Sequence, residues 1–297
     1  MNFPPEVTIK EVGPRDGLQN ERTVVPLDAK VEWINLLSET GMSYIEISSF
    51  VRPEWIPQLK DATEVAKRIK RDPNVTYAAL VPNQRGLERA LEVDIDEVCV
   101  FISASETHNL KNVNKTIADT IPIIDKVANE AVQNRKQLRG YISTVFGCPY
   151  EGETSIDQVL FICDKLLEMG VQELSIGDTI GVADPLHVEN VTKALLNHFP
   201  KDRIAMHFHD TRGTALANVI TAMNLGISKF DSTVGGLGGC PYAKGASGNL
   251  ATEDLLYMLH RMGVHTGINS EKVSEAATYI SQHVPALSSH QMKLLNS

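Results

Sequence analysis

The 297 residues predict a single α/β domain built as a (β/α)8 TIM barrel, and three observations carry that prediction. Short β-branched runs alternate with longer amphipathic stretches from end to end, which implies parallel strands joined by helical crossovers. Eight such units fit into about 265 residues, close to the ~250 typical of this architecture. The unusual polar residues fall just after the strands, on the side where a barrel carries its chemistry.

Strands are expected at 7–12, 44–48, 75–80, 97–102, 139–145, 173–176, 203–208 and 229–232, where apolar and β-branched residues concentrate. Helical patterns follow each, the clearest at 27–39, 122–132, 155–169, 185–198 and 215–225. Gly41, Gly170 and Gly226 stand just past helical segments, where a left-handed residue stops the helix. The barrel is assigned to 7–268, and a helical extension to 269–297 that serves as a cap or subunit contact. An open doubly wound sheet is the alternative. Its dinucleotide signature, GxGxxG after the first strand, is absent, and the first strand leads into GPRDGLQN instead.

Composition narrows the function classes. Hydrophobic residues at 42% and charged residues at 22% describe an ordinary globular chain. Twenty-eight Lys and Arg against thirty-seven Asp and Glu leave a net charge of −9, which argues against nucleic-acid and membrane-surface partners. Cys99, Cys148, Cys163 and Cys240 form no CxxC pair. The start, MNFPPEVTIK, resembles neither a secretory leader nor a presequence, no apolar run suits a membrane span, and the final LNS is no peroxisomal signal. Cytoplasm is the expected compartment.

The candidate site assembles from the strand ends. In His207-Phe208-His209 both imidazoles share one strand face, so they suit a divalent cation or form a metal-free hydrogen-bonded pair. Asp16 and Asn249 on adjacent loops add oxygen donors, and a mixed nitrogen and oxygen shell favours magnesium or manganese over structural zinc. Arg15 is either an ion-pair partner of Asp16 or a fixed cation that meets a developing oxyanion. Glu46 is either a site carboxylate or the buried partner of an Arg, and Asp178 either a site carboxylate or a turn cap. The run 235–249 holds six glycines. It includes Cys240, a thiol placed either for packing or for proton transfer, with Cys148 in the related GCPY turn as a second candidate.

Taken together, VGPRDGLQNE, SSFVRPEWIPQ, GCPYEG, GDTIGVADP, HFHDTRGTALAN and GLGGCPYAKGASGNLATEDL make the chain resemble the 3-hydroxy-3-methylglutaryl-CoA (hydroxymethylglutaryl-CoA) lyases over nearly its whole length. HFHD is shared across a wider metal-dependent lyase and synthase superfamily, whereas GCPYAKGASGNLATED beside RDGLQN is more particular. The resemblance implies divalent-metal-dependent cleavage of (S)-3-hydroxy-3-methylglutaryl-CoA to acetyl-CoA and acetoacetate, the last step of leucine breakdown. It implies Asp16, His207, His209 and Asn249 as metal ligands, Arg15 as the catalytic and substrate-binding arginine, and Cys240 as the active-site cysteine. The family's mitochondrial presequence, its peroxisomal signal and the terminal Cys of some members have no counterpart here. An acyl-CoA substrate and a homodimer or other homo-oligomer are expected, with Arg22, Lys111 and Lys115 as phosphate contacts. A related acyl transferase and a non-catalytic CoA- or metal-binding protein are the alternatives. The Cys240 loop and the intact ligand set argue against them.

Overall fold

The computed structural model describes residues 3–21, 23–238, 248–284 and 287–295. Eight parallel strands close into a barrel in chain order: β1 (Thr8–Glu11), β2 (Tyr44–Ser49), β3 (Thr76–Leu80), β4 (Glu97–Ser103), β5 (Gln137–Ser143), β6 (Glu173–Asp178), β7 (Ile204–Phe208) and β8 (Lys229–Ser232). The ring closes where β1 pairs with β8, from Thr8 opposite Lys229 to Glu11 opposite Ser232. That closure brings the loops after the first and last strands together although more than two hundred residues separate them.

Helices fill the crossovers: α1 (Leu27–Ser38), α2 (Ala62–Arg68), α3 (Gln84–Glu92), α4 (Glu106–Val113), α5 (Ile117–Gln133), α6 (Ile156–Glu168), α7 (Pro185–His198), α8 (Ala215–Asn224) and α9 (Thr252–Arg261). Two more, α10 (Ser270–Ser281) and α11 (His290–Leu295), form the C-terminal extension. Asn269 caps α10 by accepting from the amides of Glu271 and Lys272. Asp254 on α9 accepts from the amides of His290 and Gln291 and from the Ser289 hydroxyl, which fastens α11 to the barrel.

Several boundaries differ from the sequence expectation, three of them as follows. The helix expected from Pro122 begins at Ile117, because Thr116 caps it through the Asp119 amide and the proline is carried inside the helix. β5 ends at Ser143, since Thr144 takes a left-handed φ of 61°, costly for a β-branched residue, and its amide donates to Thr179 Oγ1 at 2.7 Å. β6 runs on through Gly177 and Asp178.

Strand parity sorts the side chains into two environments. Ile9, Ile45, Val98, Val100, Leu174, Ile176 and Phe230 face outward and pack in one core under the helices. Their neighbours face inward. Tyr44, Ala78, Leu80, Cys99 and Tyr141 make a small apolar cluster inside the barrel. The rest of the interior is polar: Lys10, Arg139 and Lys229 all pair with Glu173 at 2.8 Å, and Arg139 also pairs with Asp231 at 2.6 Å. Ions buried this deeply are tolerated only because each is paired.

Candidate active site and metal centre

The turn after β1 is a single π-helical turn, Gly13–Gly17, in which the Val12 carbonyl accepts from the amides of Arg15, Asp16 and Gly17. This turn aims Arg15 and Asp16 at the barrel mouth. Arg15 is 5% exposed. Its Nε donates to Glu46 Oε2 at 2.7 Å and its Nη1 to Asp16 Oδ1 at 2.5 Å. Tyr141 donates its hydroxyl to the same Glu46 oxygen at 2.9 Å, and its ring lies 5.0 Å from the Arg15 guanidinium carbon. Glu46 is therefore the buried partner of Arg15, and it fixes the guanidinium in place.

Asp16 meets the expected ligands. One donor atom each from Asp16, His207 and His209 lies within 4.8 Å of the others. Asp16 Oδ2 is 3.9 Å from His207 Nε2 and accepts from Asn249 Nδ2 at 2.8 Å. The histidine rings are 5.3 Å apart between centroids. Asn249 reaches them because it bridges to His209 in an antiparallel pair, and its Nδ2 also donates to the Leu237 carbonyl at 3.1 Å. Gly238 permits that approach: its φ is +98°, and a Cβ there would stand 2.5 Å from Asn249 Nδ2.

The electrostatics favour a cation. Burial opposes ionisation of Asp16, but Arg15 and the two histidines outweigh it and hold the carboxyl down at about 2. Burial and the neighbouring His207 lower His209 to about 4, which keeps it a neutral donor. Asn249 Oδ1 and His209 Nδ1 are buried with no hydrogen-bond partner among the described residues. Orphaned acceptors of this kind beside a carboxylate and a second imidazole suit a divalent cation.

Asp178 takes the second of its two expected readings, that of a turn residue. It ends β6 on the outward parity, beside Leu174 and Ile176 rather than Ser175 and Gly177. Its two oxygens accept from the amides of Val182 and Ala183 at 2.9 and 3.1 Å. Burial, only partly offset by these bonds, raises it to about 6. It organises the loop after β6 and does not face the cavity.

That cavity, of about 760 Å³, is lined by Arg15, Asp16, His207 and His209, and also by Arg52, Trp55, His108, Asn112 and Lys115. Lys115 therefore lies on the cavity wall, whereas the Lys111 ammonium sits 4.1 Å from the centre of the Tyr150 ring. Cys240 and Arg22 lie outside the described residues. Cys148 is buried, with its sulfur 2.9 Å from Ser105 Oγ. The sequence reading missed Asp231, which touches His207, and Arg139, which holds Asp231. The available signal was a charged residue within a buried parallel strand, where a nearly continuous apolar run is the norm.

Comparison with known proteins agrees with this geometry. The family profile HMGL-like matches residues 6–280. The chain is 58% identical over 282 residues to the hydroxymethylglutaryl-CoA lyase YngG of Bacillus subtilis, covering 95% of this chain and 94% of that protein. The crystal structure of the Bacillus subtilis HMG-CoA lyase superposes with a TM-score of 0.99 at 56% identity, covering all of both chains. An HMG-CoA lyase from Acinetobacter baumannii, in complex with coenzyme A and 3-methylmalate, superposes at 0.93 with 38% identity, covering 99% of this chain and 96% of that one. A closed eight-stranded barrel, a histidine pair joined by Asp16 and Asn249 at its mouth, and similarity along nearly the whole chain lead to one conclusion: this protein belongs to the HMGL-like family, among the hydroxymethylglutaryl-CoA lyases.

Proposed function

We propose that this chain cleaves (S)-3-hydroxy-3-methylglutaryl-CoA into acetyl-CoA and acetoacetate, with magnesium or manganese as its cation. The observation that carries the reading is the convergence of Asp16, His207 and His209 with the unpartnered Asn249 oxygen, directly beside a buried Arg15. Those four residues would hold the cation, which when bound polarises the substrate's tertiary hydroxyl and lowers its pKa. A CoA complex of a relative supports an acyl-CoA substrate, and a cavity of about 760 Å³ beside these residues supplies room for the acyl group.

In the retro-Claisen step the hydroxyl gives up its proton to a general base, the bond between C2 and C3 breaks, and C3 becomes the ketone of acetoacetate. The electron pair remains on C2 as a thioester enolate, which takes up a proton to give acetyl-CoA. Arg15 acts on the charge that develops on the thioester oxygen. Its guanidinium is held at two edges by Glu46 and Asp16, so little reorganisation accompanies the reaction, and its remaining N–H groups can donate. Cys240 is the proton donor to C2 in this reading, a role that rests on the family resemblance and the acidity of a thiol. Arg15 and His207 are themselves buried, so little solvent competes for their donors and acceptors. No described helix is long and apolar enough to cross a membrane.

The test is turnover of the CoA ester by a chelator-treated preparation, with and without added magnesium or manganese. Loss and recovery of acetoacetate release is the expected result. Full activity in the metal-free protein would refute the cation, and failure to release acetoacetate with metal present would refute the substrate.

A further inference from the structure

The inference concerns Asp231 and rests on the metal reading just given. Asp231 points into the barrel from β8 and is 1% exposed. Its Oδ1 accepts from Arg139 Nη2 at 2.6 Å. Its Oδ2 accepts from Ser175 Oγ at 2.8 Å and from Arg139 Nη1 at 3.2 Å, and lies 3.1 Å from His207 Nδ1. A carboxylate that accepts from both arms of a buried guanidinium is ionised and has no proton to give. The His207 contact therefore runs one way, with Nδ1–H donating to Asp231. An imidazole protonated at Nδ1 keeps its lone pair on Nε2, and Nε2 is the atom facing Asp16.

We propose that Asp231 is the positioning residue of the metal centre: it fixes the ring and the tautomer of His207 so that Nε2 is presented to the cation, and Arg139 holds Asp231 in turn. Arg139 cannot drift, because its Nε donates to Glu173 at 2.8 Å and Glu173 is itself bound by Lys10 and Lys229. On His209, Nδ1 has no hydrogen-bond partner among the described residues.

The test uses the full-length apoprotein titrated with manganese alone, free ion being read by electron paramagnetic resonance. Loss of a hydrogen-bonding group behind a metal ligand commonly costs 10–100-fold in affinity, so Asp231→Asn is expected to weaken binding by about that factor. Glu173→Gln perturbs the same charged network one step further from His207 and should stay within about threefold of wild type. Equal weakening in both variants would mean general loosening of the barrel interior and would overturn the proposal. Unchanged affinity in a folded Asp231→Asn would do the same while leaving the metal reading intact. A wild-type protein that takes up no manganese would overturn both. Should Asp231→Asn fail to fold, nitrogen-15 spectra of the wild-type apoprotein decide, with the His207 signal assigned by its loss in His207→Gln. A neutral His207 carrying its proton on Nδ1 supports the proposal, and one carrying it on Nε2 overturns it.

Discussion

Replacing Arg15 by Met separates two roles that the structure gives one guanidinium. The first is structural. Arg15 Nε lies 2.7 Å from Glu46 Oε2, and Coulomb's law at an effective dielectric of about 20 gives roughly 6 kcal/mol for unit charges at that separation. Desolvation offsets most of this, so the pair itself contributes little net stability, yet removing one member leaves a buried charge unpaired. Glu46 is fully buried, and burial already raises its pKa against the pull of Arg15. Without the guanidinium it becomes a strained carboxylate or takes up a proton. Arg15→Met should therefore cost about 3–5 kcal/mol in urea unfolding, less where Glu46 protonates. The second role is chemical. If Arg15 meets charge that appears only in the transition state, kcat should fall by about 10²–10³ with little change in KM.

The double variant Arg15→Met/Glu46→Gln tells the roles apart. The neutral amide no longer needs a cation, and its oxygen still accepts from the Tyr141 hydroxyl now at 2.9 Å from Glu46. Stability should recover by the part of the loss that unpaired Glu46 causes, while Asp16, which also bonds Arg15, keeps Asn249 and the histidines beside it. Activity should stay low. The assay pairs urea unfolding with initial rates of acetoacetate release. If activity returns along with stability, Arg15 does no more than neutralise Glu46 and its role towards the enolate is wrong. A rise in KM at constant kcat in the single variant would make it a ground-state binding residue.

Further outcomes follow from neighbouring groups. Gly238→Ala should weaken manganese binding by about tenfold or more, as expected when a metal site's supporting shell shifts, because its Cβ would press on Asn249 Nδ2 at 2.5 Å; unchanged affinity would show that Gly238 is not required for that approach. Burial raises Glu11 to about 7 and Glu253 to about 8, so the folded chain keeps protons that the unfolded chain loses near the ordinary carboxyl pKa of 4.5. Their contribution is present below about 4.5 and is lost as pH rises through about 7 to 8. Glu11→Gln mimics the protonated form, so against wild type it should gain stability between pH 5 and 8.5 in urea melts; parallel curves would refute the shift. Thiol alkylation should inactivate the enzyme and acyl-CoA should protect it, and both effects should survive in Cys148→Ala, whose sulfur is buried against Ser105. Their disappearance there would mean that Cys240 is not the reactive thiol.

The features legible in the sequence are those with a short repeat. The barrel could be read because a short β-branched run followed by a longer amphipathic stretch, repeated eight times, leaves few other arrangements. Asp16, His207 and His209 converge as the chain order suggests, because strand parity sets both imidazoles on one face and closure sets β1 beside β8. The same parity rule, carried two residues further, chooses between the two readings of Asp178. That residue ends β6 and shares the outward parity of Ile176, so a position at the rim did not make it part of the cavity. Asp231 shows the complementary limit. Its role depends on Arg139, ninety-two positions away, and on Glu173, Lys10 and Lys229 meeting in one interior. No local pattern encodes that meeting, since each residue alone reads as an isolated charge in a strand. Parity does supply a rule of exclusion: a charged residue on an inward position of a closed barrel has no solvent to face, so it must find a partner across the interior. Applied to β8, that rule turns Asp231 from an anomaly of the strand into the residue against which His207 is set.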